Sequence, residues 1–298
     1  MNTQQYPAKT SPVHRISAQE RGIALVAVLW LVAALSVMLI GLQHVVRGEI
    51  QIAGLAQSKV TSSGIADAAI LVTLQGMIAT KIVSEKVVRT ATVTVFGSEV
   101  KVSVVPMNGL IDLNHAPENL LADAYEFGGG LPKEEASRLA NLTVEARERR
   151  GPDALPERLH AIEDLLRIPG LSYDAYAKMS NAVTTEIAGG GRINPLAASV
   201  DTLTILGRGD RIRALQLVDA RVSNPESMDA TALTVQHIQM EPTSYVAISA
   251  TLKSSVDVSV TRVWRVDLST PVRGLPWRVL GVDQRVVPAA NANWRSLR

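Results

Sequence analysis

From Ile23 to Leu42 the chain reads IALVAVLWLVAALSVMLIGL, about twenty residues without one charged side chain. As an α-helix rising 1.5 Å per residue, a run of that length crosses a hydrocarbon core of about 30 Å. An Arg, Lys or Asp at mid-bilayer costs about 2.5–3.5 kcal/mol on insertion scales, and the first charge after the run is Arg47. The segment can therefore sit in lipid without a partner. Lys9, Arg15 and Arg21 precede it, and the positive-inside tendency keeps that end cytoplasmic and sends everything after Arg47 to the other side. A cleaved secretory signal has an apolar core of about 7–15 residues followed by a small-residue exit; this run is longer and has no Ala-x-Ala exit. A helix of this length without a charge is rare in soluble cores. An ordinary signal anchor satisfies the hydropathy equally well.

Beyond this run, 298 residues are enough for two compact domains by the usual prior of about 100–200 residues each. A formal net charge of +2 supplies no field that would gather polyanions, which argues against nucleic acid as a partner. The absence of cysteine removes disulfide frameworks, thiol nucleophiles and Cys-based metal sites together.

After the apolar run, Ala66, Ala69, Ile70, Thr73, Met77 and Ile78 recur at three- and four-residue spacing, so the helix continues with one apolar stripe. Ser62-Ser63-Gly64 marks a point at which it can bend. The period then changes to two. Val93 and Val95, the turn Phe96-Gly97-Ser98, and Val100, Val102 and Val104 predict a hairpin with one buried face. A second block of alternation covers Tyr245 to Leu252, Val256 to Leu268 and Trp277 to Val287 and predicts antiparallel strands. Between the two blocks the pattern is helical, punctuated by Gly128-Gly129-Gly130, Pro132, Gly151-Pro152 and Gly189-Gly190-Gly191. Pro117 and Pro132 suit first helical turns, and Glu134 with Arg138 and Glu145 with Arg149 have i,i+4 spacing. Four or five short helices are expected between Pro117 and Ala188. The fold class is thus α+β: a long N-terminal helix, an antiparallel sheet, and an all-helical domain inserted between its strands.

The junction Gln19-Glu20-Arg21-Gly22, followed directly by Ile23-Ala24-Leu25-Val26, resembles the type IV prepilin signal. There a prepilin peptidase cuts on the cytoplasmic side of the apolar helix, after the glycine. The resemblance implies removal of Met1 to Gly22, an N-methylated Ile23 as the new first residue, and a retained membrane helix. Most pilins carry glutamate at the fifth mature position; here it is Ala27. Its absence is typical of the minor pseudopilin K of type II secretion systems. A carboxylate in lipid is costly without its partner, so a subunit with nothing above it gains by lacking one.

That family also inserts a large helical domain into a pilin-like fold and marks its joints with a phrase close to Gly-x-Ile-Asn-x-Asn-Thr-Ala. Two degenerate copies stand here, Gly109-Leu-Ile-Asp112-Leu-Asn114-His115-Ala116 and Gly191-Arg-Ile193-Asn194-Pro195-Leu-Ala-Ala198. Each reads as a strand end turning into a helix, with a short polar side chain able to satisfy free backbone N–H groups. The expected organisation is a leader (1–22), a membrane helix (23–45), a first pilin-like part (46–115), the helical insert (116–204) and a second pilin-like part (205–298). The resemblance implies a single-pass inner-membrane protein with a periplasmic C-terminal domain. Its partners would be pseudopilins of the I and J types, the pseudopilus and the prepilin peptidase, and its role would lie at the pseudopilus tip in protein export. A minor pilin of a type IV pilus is the alternative of the same class; neighbouring genes for a secretin and other pseudopilins discriminate.

Reactive chemistry is thin. Leu165-Leu166-Arg167-Ile168-Pro169-Gly170-Leu171 is similar to the hairpin of a helix-hairpin-helix module, whose N–H groups hold a DNA phosphate. Ser172 replaces the usual second glycine, and Glu163, Tyr173 and Asp174 surround the turn where basic residues would be needed. The packing reading is favoured over a membrane-tethered DNA-binding module, which salt-dependent binding to duplex DNA would reveal. His14, His44, His115, His160 and His237 are isolated and show no ligand spacing. The Gly triplets lack a following Lys-Ser/Thr, and no Gly-x-Ser-x-Gly elbow occurs. No residue is assigned a catalytic or cofactor-binding role. Calcium binds in the helical insert of some family members, and Asp112, Asn114, Glu118, Asp123, Asp153, Glu157 and Asp164 offer oxygen ligands. None falls in a recognisable calcium loop, so no metal ligand is assigned.

Overall fold

The computed structural model describes residues 18–150, 156–187, 190–223, 229–231, 233–253, 258–272 and 274–288. The chain divides into two compact units, Met1–Ser58 and Lys59–Arg298. One helix, α1 (Ala18–Ala79), supplies the described part of the first unit and begins the second.

In the first unit every described side chain from Leu25 to Met38 is exposed, Leu25, Leu29, Trp30 and Met38 among them. As described, this apolar stretch is shorter than a membrane span, whereas Ala56–Ala79 is long and apolar enough to cross a membrane. A third of the most apolar window of Ala56–Ala79 is buried. Ala66, Ala69, Ile70, Leu74 and Met77 form its covered stripe, and α1 continues through Ser62-Ser63-Gly64 as helix.

The second unit is built on a five-stranded antiparallel sheet in the order β1-β2-β5-β6-β7. Its strands are β1 (Arg89–Val95), β2 (Ser98–Pro106), β5 (Tyr245–Lys253), β6 (Val258–Asp267) and β7 (Arg278–Pro288). The hairpin predicted around Phe96-Gly97 forms with Val95 paired to Ser98 and positive φ at both turn residues, the geometry that matches strand twist. Val100, Val102 and Val104, with Val246, Ile248, Ala250 and Leu252, face the α1 stripe. Full burial of Ile70 and Leu74 contributes about 1.5–3 kcal/mol each. Asp67 fixes the helix laterally, accepting from Arg262 Nε and Trp264 Nε1, both at 2.8 Å.

The register also orients the sheet. Gln284, opposite Arg262, donates to Ser63, whereas Glu85, just after α1, pairs with Thr243, just before β5. The Phe96 turn therefore lies at the end of the sheet where Lys59 enters. Pro106 and Tyr245, between which the chain leaves the sheet, lie at the opposite end.

The segment from 107 to 244 carries α2 (Glu118–Asp123), α3 (Lys133–Glu148), α4 (Tyr173–Met179), α5 (Val200–Leu206) and α6 (Arg211–Ser223). Two short strands, β3 (Ile111–Asp112) and β4 (Val183–Thr184), pair in parallel. A π-helical turn at Ala124–Gly128 and a 3₁₀ turn at Ile162–Arg167 complete the first half. Four or five helical pieces between Pro117 and Ala188 are thus present, but Pro117 and Pro132 stand as N-caps, one residue before the helices begin. The expected boundary at 204 falls inside α5, and the helical core runs on to Ala214, Leu217, Val218 and Leu233. Two hydrophobic clusters result, one around α1 and the sheet and one within the insert.

Candidate functional site

Three places carry the chemistry that the sequence singles out: the N-terminal junction, the two Gly-x-Ile phrases, and the Pro-Gly hairpin.

At the junction, Gly22 and Ile23 lie in α1, which already begins at Ala18; their side chains fall outside the described residues. Ala27 is described and exposed, on the apolar stretch that starts at Leu25.

The two phrases are brought together, back to back. A Cβ on Gly109 would strike the backbone of Ala197 and Ala198, and a Cβ on Gly191 would strike the carbonyl of His115 and Cα of Ala116. The first residue of each phrase thus presses on the last two of the other, and only glycine permits that approach. Gly191 has in addition a φ of +59°.

Within each phrase the same turn forms. Asp112 Oδ1 accepts from Asn114 N at 2.9 Å, and Asn194 Oδ1 accepts from Leu196 N at 3.0 Å. The backbone carbonyl of Asp112 accepts from His115 N and Ala116 N, and that of Asn194 from Ala197 N and Ala198 N. Each phrase is then closed by an arginine from the last turns of a later helix. Arg147 Nη1 on α3 donates to Leu113 O and Ala116 O, both at 2.8 Å. Arg221 Nη1 on α6 donates to Pro195 O at 3.2 Å and Ala198 O at 2.5 Å. Burial pushes the Arg221 guanidinium down to about 10 and also lowers that of Arg147. Finally, Ile111 N donates to Ala182 O and Ile193 N to His237 O, so each phrase is pinned by a parallel bridge.

The polar residues of the phrases therefore act one step away from the expected helix-capping role. Asp112 and Asn194 shape turns, Pro117 caps α2 without a side-chain bond, and Ser199 caps α5 through Thr202 N. Asn114 reaches across to Leu159 N and O, and Asn194 to Lys86 O, which ties the second phrase to the chain leaving α1. Half-buried Arg147 and buried Arg221 were not legible in the sequence as the residues that close the phrases.

Electrostatically the joints differ. Burial raises the Asp112 carboxyl, partly offset by its hydrogen bonds with the His115 ring and the Asn114 amide and by the nearby Arg147 charge. Among the described residues the His115 ring is hydrogen-bonded to Asp112 and to no Ser, Thr or Tyr hydroxyl. In the second joint Asn194 holds the equivalent place without charge.

The Pro-Gly hairpin is packed from within. Arg138 of α3 lies against Gly170 and donates to Pro169 O at 3.3 Å, and Ser172 caps α4 by accepting from Ala175 N. Among the described residues the candidate calcium ligands do not converge. Asp112 and Asn114 are engaged as above, and Asp164, although burial pushes its carboxyl up, is held low by the N–H groups of Ala161 and His160. Asp153 lies outside the described residues, and among those described no three acidic or histidine side chains cluster.

Among solved structures, the chain is similar to a chain of the crystal structure of the GspK-GspI-GspJ complex from the enterotoxigenic Escherichia coli type 2 secretion system, at 14% identity and a TM-score of 0.49. The match covers 80% of this chain and 99% of that one. No protein-family model and no curated protein matches the chain.

Proposed function

We propose that the chain is a minor pseudopilin of the K type, acting at the tip of a type II secretion pseudopilus during protein export across the outer membrane. It is a structural and interaction protein, with no catalytic residue and no required cofactor. It is anchored once in the inner membrane, N-terminus cytoplasmic and head periplasmic, after a prepilin peptidase removes Met1 to Gly22 and Ile23 is methylated. Its partners are pseudopilins of the I and J types.

The observation that carries this reading is the Gly22-Ile23 junction standing directly before an uncharged run that belongs to the same helix as the stripe packed on the sheet. Cleavage there leaves the helix attached to the head, as a subunit that stacks through its helix requires. Two further features support it. Ala27 removes the carboxylate that would need a subunit above it, and the insert occupies the end of the sheet opposite Lys59, where its bulk would obstruct further addition.

Intact-mass measurement of the membrane form, expressed with and without a prepilin peptidase, tests the reading. A species beginning at methylated Ile23 only when the peptidase is present is expected. An unprocessed Met1 in its presence, or a cut near residue 45 that frees the head, overturns it.

A further inference from the structure

The insert is joined to the sheet through Pro106 and Tyr245, on the neighbouring strands β2 and β5. Two chain crossings side by side hold the bodies together and leave an axis about which one can rock on the other. Their apolar cores are separate: the buried residues of the insert core and of the α1–sheet core are two distinct sets. The connector between α1 and β1 goes with the insert. It lies outside helix and strand, Val87 packs on the insert core, and Lys86 O accepts from Asn194 Nδ2 at 2.6 Å.

Away from that axis a charged strut crosses the boundary. Glu186 follows β4, which β3 pins to the first joint, and its N–H donates to Thr184 Oγ1 at 3.2 Å. Its Oε2 lies 2.5 Å from Arg265 Nε on β6, and Arg265 Nη1 pairs with Asp283 on β7. The strands β6 and β7 are one and two places beyond β5, so the strut stands about 5–10 Å from the crossings, where it resists rotation. The sheet is shaped for this arginine. Arg262, Trp264 and Val266 face α1, so Arg265 stands on the opposite face. Arg265 pairs with Gly281 and Val266 with Val279, which leaves Leu280 as an extra residue in β7, and a bulge of that kind re-aims the side chains beside it. A Cβ on Gly281 would strike the Arg265 guanidinium, so glycine clears its way from Glu186 to Asp283. Burial pushes that guanidinium down, and Glu186 and Asp283 raise it by more, so it stays charged. Yet neither Arg265 Nε nor Glu186 Oε2, both shielded from water, has an aligned hydrogen bond. The insert side of the strut is thus held by charge without a directional bond, whereas on the sheet side Arg265 Nη1 donates to Asp283 Oδ2.

We propose that Arg265 is a latch: while it touches Glu186 the insert is fixed at one angle on the sheet, and when that contact opens the insert swings about the Pro106–Tyr245 crossing as a folded body. Asp283 keeps the arginine in place on the sheet for reclosing. The swing needs no unfolding, because each body keeps its own core and the connector before β1 travels with the insert. The device goes beyond the pseudopilin reading and does not depend on it.

Because the chain has no cysteine, pairs of spin labels can be placed on the full-length protein without background. Ser137→Cys on α3 with Thr92→Cys on β1 reports the insert against the sheet, and Ser137→Cys with Ala220→Cys on α6 reports the insert alone; all three positions are exposed. In pulsed dipolar measurements, Glu186→Gln and Arg265→Met should each make the 137–92 distance distribution about twofold broader or move its mean by about 5 Å. The 137–220 distribution should stay as in the parent. A 137–92 distribution that Glu186→Gln leaves unchanged overturns the latch. So does one that widens only together with the 137–220 distribution, since the insert then melts rather than swings. Glu186→Gln, which exchanges one oxygen for an amide nitrogen, decides where the two variants differ or Arg265→Met fails to fold. Neither variant touches Gly22 or Ile23, so processing at that junction reports on the pseudopilin reading separately.

Discussion

The joint at Asp112 and the joint at Asn194 share one frame and differ in charge. Both have a glycine pressed on the opposite phrase, an Asx turn, a parallel bridge and an arginine closing two carbonyls. One is built around a buried carboxylate with an imidazole partner, the other around a buried amide that also serves as a donor. The backbone hydrogen bonds common to both evidently define the turn, since either acceptor supports it. The side chain is then free to do something else: Asp112 takes His115, and Asn194 bonds to Lys86 O and Asn108 Oδ1.

The sharpest way to break the comparison is to impose the first joint's charge on the second. Asn194→Asp keeps the turn acceptor but loses the donor to Lys86 O and buries a carboxylate at a site with no solvent access. We expect about 4 kcal/mol of destabilisation at neutral pH, read by urea unfolding of the head, because an uncompensated buried charge adds to two orphaned partners. A loss under about 1 kcal/mol would mean that the second joint is wetter than its geometry implies.

The closing arginines give the next effect. Arg221→Met should cost about 3 kcal/mol, since Pro195 O and Ala198 O lose their donor in a buried site, and Arg147→Met about half as much, since Arg147 is only partly buried. Equal costs for the two would show that burial does not separate them.

The smallest effect is the most diagnostic. Asp112→Asn makes the first joint resemble the second, and its signature lies in pH dependence. The folded-state pKa of Asp112 is raised, so the folded protein holds that proton more tightly than the unfolded chain. Stability from this group is therefore lost as pH climbs from the ordinary carboxylate value of 3.8 through the raised one. The stability of Asp112→Asn relative to the parent should rise over that window and stay flat above it. The opposite slope would mean that the imidazole outweighs burial.

What could be read from the residues followed from local periodicity. The Val93 to Val104 alternation predicted β1 and β2, the downstream alternation predicted β5 to β7, and the two phrases located both joints. What could not be read depended on distant partners. In α6 the outward-facing Ile212, Leu215 and Val222 blur the amphipathic pattern, and Arg221 reads as a surface charge until Pro195 and Ala198 are folded beneath it. Asp67 likewise looks like a solvated acid until β6 brings Arg262 and Trp264 alongside.

The chain leaves the sheet at the end of β2 and rejoins it at the start of β5, and these strands are immediate neighbours, with Pro106 opposite Val246. The two ends of everything carried between them thus stand about 5 Å apart. That makes residues 107 to 244 a cartridge plugged into the mouth of an otherwise ordinary hairpin. Its contents can lengthen, shrink or duplicate without shifting the register of a single strand.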